Sequence, residues 1–285
     1  MTTASDEGRS SLFADPRMET DTLPDGRLLL RSAEPLQPHA TSVVHEFRRG
    51  SEAHPDRLLL AERDRDGEWA RLTWGQARAQ ADRLAQGLLE RGLADRAVMV
   101  LSGNSRLHLI VALAAMSVGA PVVPTSVAYV LQSADHDKLR AMTELVDPGL
   151  VVAEDGSFAR AAAAVAAGRT VLSRDGDVPG SLTPDQLGAP PTAEVDRRCA
   201  ALTPDGIAKI LFTSGSTGTP KGVLTTHRML MANQQQMRQV WPFLQEEPPV
   251  LLDWLPWSHT FGGSHNLNMV LVNGGTLWID DGRPV

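Results

Sequence analysis

Residues 213–222 read Thr-Ser-Gly-Ser-Thr-Gly-Thr-Pro-Lys-Gly, which packs glycines, hydroxyls and one lysine into a single short stretch. A polyphosphate calls for this mixture. Glycine lets backbone N–H groups approach oxygens with no Cβ in the way, hydroxyls add rotatable donors, and lysine brings a mobile positive charge. Charge-assisted hydrogen bonds contribute roughly 1.5–3 kcal/mol each, so three or four would hold a nucleotide phosphate at about micromolar strength after the costs of association. The competing reading of such a stretch is a flexible Gly/Ser linker. The apolar run Ile210-Leu211-Phe212 before it, the Pro220-Lys221 pair and a helix expected directly after it favour the phosphate loop. The P-loop of kinases and GTPases does not fit. That motif needs Gly immediately before the lysine and Ser or Thr immediately after it, and here Pro220 and Gly222 stand in those places.

A second candidate is Leu255-Pro256-Trp257-Ser258-His259-Thr260-Phe261-Gly262, a histidine set among aromatic residues. His259 reads either as a buried packing residue or as an imidazole beside a reacting group. His265, Asn266 and Asn268 follow on an expected helix, where they border a substrate or cap the helix. Trp254 and Trp257 are expected as core anchors, since aromatic side chains in strands usually bury. Asp135, His136 and Asp137 cluster at an expected helix start, which the preference for negative charge there explains without a metal. Cys199 has no histidine beside it and is assigned no nucleophilic role.

These residues need elements to hold them. Val43, Val44 and Phe47 fit one helical face, and strand-like residues 58–61 and 68–73 pair across a turn at 64–67. Thr73-Trp74-Gly75-Gln76 has the spacing of a capping box and starts a helix that ends at Gly92. Apolar runs at 98–101, 121–123, 151–153 and 170–172 alternate with helical patterns at 106–118, 135–146 and 157–167. After a Pro-rich lapse over 173–205, strands are expected at 208–213, 250–255 and 276–279, with helices at about 226–240 and 263–272. Such alternation implies an α/β protein with mostly parallel sheets flanked by helices. The expected division is an extended N-terminal arm over 1–38, a first α/β subdomain over 39–172, the connection 173–205, and the start of a second α/β subdomain over 206–285.

Composition narrows the function classes. With 27 Lys plus Arg against 34 Asp plus Glu the formal charge is −7, so a general nucleic-acid binder with a basic face is disfavoured. Hydrophobic residues at 42% and charged residues at 21% suit a chain with a buried core and exclude wholesale disorder. A lone cysteine forms no intramolecular disulfide and no Cys/His cluster offers zinc ligands, which points to a reducing, cytoplasmic compartment. No signal peptide or membrane span is expected, because the N-terminus lacks an apolar core and the longest apolar stretch, 109–123, is broken by Ser117, Gly119 and Pro121.

The run LFTSGSTGTPKGV resembles the phosphate-loop signature of the acyl-adenylate-forming superfamily, which holds acyl-CoA synthetases, peptide-synthetase adenylation domains and luciferases. In the same order, Leu72-Thr73-Trp74, Gly119 with residues 121–124, and the segment 255–262 resemble that family's other motifs, so the likeness runs from about Thr41 to the end. Residues 135–155 and 254–284 look most like feruloyl-CoA synthetases, which act on hydroxycinnamic acids. The resemblance implies that a carboxylic acid reacts with Mg-ATP to give acyl-AMP and pyrophosphate, and that the thiol of CoA then displaces AMP; Mg2+ enters with the nucleotide. It implies that Thr213, Ser214, Gly215, Ser216, Thr217, Gly218, Thr219 and Lys221 grip the β and γ phosphates. His259 would stand near the α-phosphate and the carboxylate as the catalytic group, with Trp257, Phe261 and Gly262 forming the substrate site. Family members are much longer, and their adenine-binding segment, acidic Mg ligand, ribose-binding Asp and C-terminal domain with its lysine find no match here. The expectation is therefore an N-terminal portion that does not turn over alone, or else a non-catalytic nucleotide-binding or interaction protein derived from such an enzyme.

Overall fold

The computed structural model describes residues 12–133, 135–214 and 220–280. At the N-terminus, β1 (Met18–Thr22) and β2 (Leu28–Ser32) pair antiparallel around a turn where Gly26 takes φ +83°. Within the extended arm expected over residues 1–38, the described part thus holds a two-stranded hairpin, and residues 1–11 lie outside the described residues. Pro24-Asp25-Gly26 supplies the turn chemistry, but every residue of both strands is exposed, so no alternating apolar face marks them in the sequence. The arm rests on the far end of a later helix, where Gln37 donates its backbone N–H to Gln239 Oε1 at 2.9 Å.

Next come α1 (Val43–Ala53), β3 (Leu58–Arg63), β4 (Trp69–Thr73) and α2 (Trp74–Glu90). The capping box is present: Thr73 Oγ1 accepts from the Gln76 N–H, and the Thr73 N–H donates to Gln76 Oε1. The α/β alternation follows as β5 (Val98–Leu101), α3 (Arg106–Ser117), β6 (Val122–Pro124), α4 (Val127–Leu131), α5 (Asp137–Val146), β7 (Leu150–Ala153), α6 (Ala159–Val165) and β8 (Thr170–Leu172). Residues 173–205 are not featureless, since they hold α7 (Pro184–Leu187) and α8 (Ala193–Ala200). Of α8 only Val195 and Cys199 are buried, too few apolar positions to show a period. The chain continues through β9 (Ile207–Ser214), β10 (Pro220–Thr226), α9 (His227–Val240), α10 (Phe243–Glu246), β11 (Val250–Asp253), α11 (Leu267–Val272) and β12 (Thr276–Ile279).

Two larger sheets result. One has the order β10-β9-β6-β5-β7-β8, parallel except for edge strand β10; the other has the order β11-β12-β3-β4, parallel except for β4. Helix α3 touches β5 and β6 of the first sheet and β3 of the second, and its residues Leu107 to Ser117 are all buried. A helix apolar all round belongs in such an interior position. The other face of the first sheet packs Met99, Val123 and Val151 against Leu139 and Met142 of α5 and Ala161 and Val165 of α6. Burial on both faces accounts for the unbroken apolar runs of β5 and β7.

The sheets do not follow the division expected from the sequence. Strand β9 pairs with β6, and β12 pairs with β3, so each sheet draws strands from both sides of residues 173–205. Parallel neighbours require crossover connections, and position in the sheet is therefore free of position in the chain. No helix among the described residues is long and apolar enough to cross a membrane.

Candidate functional site

Strand β9 buries Ala208, Lys209 and Leu211 and surfaces at Thr213. The chain then returns as β10, with Thr213 opposite Lys221 and Ser214 opposite Pro220. The described phosphate-loop residues Thr213, Ser214, Pro220, Lys221 and Gly222 thus lie on two antiparallel strands, where sequence periodicity implied a loop running straight into a helix. Strand β10 escapes that reading because it is an edge strand with Lys221, Val223 and Leu224 exposed, which gives no clean alternation. Gly215, Ser216, Thr217, Gly218 and Thr219 lie outside the described residues. The two described anchors, a hydroxyl and an ammonium, face each other across one antiparallel pair, whose Cα atoms stand about 4.5–5.5 Å apart.

The second wall is the segment 255–263. Glu154, at the end of β7, accepts hydrogen bonds from the Ser102 and Ser105 hydroxyls at 2.7 and 2.6 Å. These two bonds fix the turn between β5 and α3 that carries Asn104. Asn104 Nδ2 donates to the Leu255 carbonyl and Asn104 Oδ1 accepts the Trp257 N–H, both at 2.9 Å. One amide side chain therefore satisfies both backbone groups of the turn. The segment then doubles back: the His259 N–H donates to the Pro256 carbonyl at 3.0 Å and the Gly263 N–H to the His259 carbonyl at 2.9 Å. Residues Phe261–Asn266 form a wide helical turn leading into α11, a local irregularity that recurs at functional sites. A Cβ on Gly262 would stand 2.3 Å from the Leu255 carbonyl oxygen, so only glycine fits there.

Between these walls lies a cleft of about 440 Å³ whose lining includes Ser126, Tyr129, Phe212, Thr213, Ser258 and His259. That volume is within the usual range for small-molecule sites. His259 is exposed at the cleft, which rules out the buried packing reading. Thr213 and His259, 46 residues apart in the numbering (259 − 213), line the same space. Two larger clefts, about 500 and 560 Å³, gather none of the site residues expected from the sequence, and Arg174 at one of them is engaged by Glu62 and Glu154.

The other expectations divide. Trp257, expected both as a core anchor and in the substrate site, is 2% exposed and packs edge-on against His108 with ring centroids 5.1 Å apart, so it supports the turn from behind and does not line the cleft. Trp254, expected in the core, is 58% exposed, because β11 is an edge strand with one uncovered face. Phe261 is exposed and contacts the His265 ring at 4.8 Å, away from the cleft lining. Gly262 acts through close backbone approach. Asp135 accepts from the Ser133 hydroxyl and the Asp137 N–H, the bonding of a helix start. Burial raises the thiol pKa of Cys199.

Sequence reasoning missed three supporting residues. Asn104 sits in the short connection before the helix expected at 106–118, where no spacing marks it. His108 sits within an apolar helix, its pKa pushed down to about 4 chiefly by burial. Lys209 is the charge that interrupts the apolar strand 207–212, and that interruption was the available signal. Its ammonium donates to the Gly263 carbonyl at 2.6 Å, and burial lowers its pKa to about 8.

Comparison with known proteins agrees with this arrangement. The model of the AMP-binding enzyme family matches residues 47–284. Long-chain-fatty-acid–CoA ligase FadD15 of Mycobacterium tuberculosis (strain ATCC 25618 / H37Rv) is 32% identical over 230 residues, which cover 78% of this chain and 36% of that protein. Long-chain-fatty-acid–AMP ligase FadD23 of Mycobacterium tuberculosis (strain CDC 1551 / Oshkosh) is 28% identical over 240 residues, covering 78% and 38%. Among solved structures, ATP-bound MatB from Rhodopseudomonas palustris matches with a TM-score of 0.59 at 27% identity, over 82% of this chain and 44% of that one. The chain spans less than half the length of these relatives. With its fold, its antiparallel strand pair and histidine turn, and a family match over most of its length, the chain belongs to the AMP-binding enzyme family.

Proposed function

We propose that this chain carries the nucleotide-phosphate grip and the histidine of an acid–CoA ligase. In that reaction a carboxylate attacks the α-phosphorus of ATP, pyrophosphate leaves, and the thiol of CoA later displaces AMP from the acyl group. The observation that carries the reading is the shared cleft of Thr213 and His259, with Lys221 opposite Thr213 on the neighbouring strand. Thr213, Ser214, residues 215–219 and Lys221 would hold the β and γ phosphates, with Mg2+ arriving on the nucleotide. His259 would meet the α-phosphate and the carboxylate. The donor set suits the group: hydroxyls, backbone N–H groups and one ammonium are what a polyphosphate takes.

The proposed acid is a hydroxycinnamate such as ferulate, and the support is the likeness of residues 135–155 and 254–284 to feruloyl-CoA synthetases. The ligases FadD15 and FadD23 carry long-chain fatty acids in their names, which supplies the competing substrate class. Thermal-shift titration with ATP plus ferulate, against ATP plus a long-chain fatty acid, decides between them. A larger shift with the fatty acid would refute the hydroxycinnamate.

Because the chain covers 36% of a relative such as FadD15, we propose that residues 1–285 alone bind ATP without completing turnover. Pyrophosphate release that requires both ferulate and ATP and is abolished by Lys221→Ala would overturn this. A second reading, an interaction protein, draws on the exposed apolar residues Val250 and Leu252 of edge strand β11 and Trp254 directly after it, since open strand edges invite pairing. Light scattering separates the two: a stable dimer favours the interaction protein.

A further inference from the structure

Lys138, Lys209 and Lys221 are the chain's lysines, and arginine fills every other basic position except histidine. Lys209 is 4% exposed in the middle of β9, a strand that otherwise presents apolar side chains to the interior. Buried arginine in this protein is matched by carboxylates: Arg48 meets Asp82 at 3.0 Å and also pairs with Asp196. Among the described residues no carboxylate stands within ion-pair distance of Lys209. The titratable group that feels its charge is His108, which burial keeps neutral. An ammonium placed in the interior without a counter-ion opposes folding, and an apolar residue of similar length would suit the strand better. Its place there calls for a role other than stability.

The geometry supplies one. Lys209 and Thr213 are four residues apart on one strand and therefore share a face. Lys209 Nζ donates to the Gly263 carbonyl at 2.6 Å, and the Gly263 N–H donates to the His259 carbonyl at 2.9 Å. Two hydrogen bonds thus run from the strand that carries Thr213 to the residue forming the opposite wall. Asn104 holds the early part of the same turn at Leu255 and Trp257, and Lys209 holds its late part. We infer that Lys209 is a positioning residue, which fixes the His259 turn against β9 and so sets the width of the cleft between Thr213 and His259. The consequence for nucleotide binding rests on the proposed function; the coupling of Lys209 to His259 does not.

The test uses residues 1–285 with Lys209→Met, which keeps length and removes the donor, and Lys209→Arg, which keeps a cation. Three readouts apply: the melting temperature, Mg-ATP affinity by calorimetry, and the His259 imidazole cross-peak in an NMR spectrum of the nucleotide-free chain. The expected result is a Lys209→Met protein that melts no lower than wild type, binds Mg-ATP about tenfold more weakly and shows a displaced or split His259 peak, with the arginine variant closer to wild type in affinity. A melting temperature well below wild type would overturn the inference, because the bond would then hold the fold and not the site. Wild-type affinity with an unmoved His259 peak would overturn it equally. Should the wild-type chain bind no ATP, the proposed function fails, and the His259 peak still decides: unmoved in Lys209→Met it refutes the positioning role, displaced it upholds it.

Discussion

At the scale of single residues, the site divides into groups that face the cleft and groups that hold those in place. Thr213 and His259, singled out in the sequence because their types suit a phosphate and their segments resemble known motifs, both line the cleft, and Lys221 stands opposite Thr213 on the neighbouring strand. Trp257, expected both as a core anchor and at the substrate, turns inward onto His108, since a sequence shows that an aromatic is present but not which way it points. Asn104 and Lys209 act through hydrogen bonds to backbone carbonyls far along the chain, a kind of contact that leaves no pattern in either partner. Gly262 offers a sharp test of the turn. A Cβ there would stand 2.3 Å from the Leu255 carbonyl oxygen, so Gly262→Ala is expected to destabilise by about 1–3 kcal/mol in urea unfolding, as overpacking does. A change within a few tenths of a kcal/mol would mean that the turn is not packed as described.

Elements add a different contrast. The helix that follows Thr73 was readable to within two residues because its capping box and apolar face are local features. Strand β10 and the β1–β2 hairpin were not readable, since exposed strands carry no alternation. Two substitutions separate fold from site. Thr73→Ala removes a cap far from the cleft and is expected to lower stability by about 1 kcal/mol while leaving Mg-ATP affinity unchanged in calorimetry. Asn104→Ala leaves the Leu255 carbonyl and the Trp257 N–H without their partner and is expected to cost about 1–3 kcal/mol and also to weaken Mg-ATP binding. Equal effects of the two variants on binding would contradict the assignment of Asn104 to the site.

For the whole molecule, the parallel α/β architecture was legible from alternation, whereas the interleaving of strands between the two sheets was not, because pairing partners lie on either side of residues 173–205. Burial of ionisable groups gives the folded chain a pH signature. His108 and His227 have pKa values lowered from 6.5 to about 4, both chiefly by burial. Between about pH 4 and 6.5 the unfolded chain binds more protons at these groups, so stability rises with pH across that window and is lost as pH falls, by an amount on the order of a few kcal/mol. Lys209, lowered from 10.5 to about 8, adds a further rise between about pH 8 and 10.5. Urea midpoints across pH 4–7 check the first window, and His108→Gln is expected to reduce the slope without abolishing it, because His227 titrates across the same range. Net charge says little about the site, since a chain at −7 is expected to bind a polyanion through one strand pair. The most direct measurement is calorimetric titration of residues 1–285 with Mg-ATP. One site of about micromolar affinity, weakened roughly tenfold or more by Lys221→Ala, is the expected result, and either no binding or binding indifferent to Lys221→Ala would contradict it.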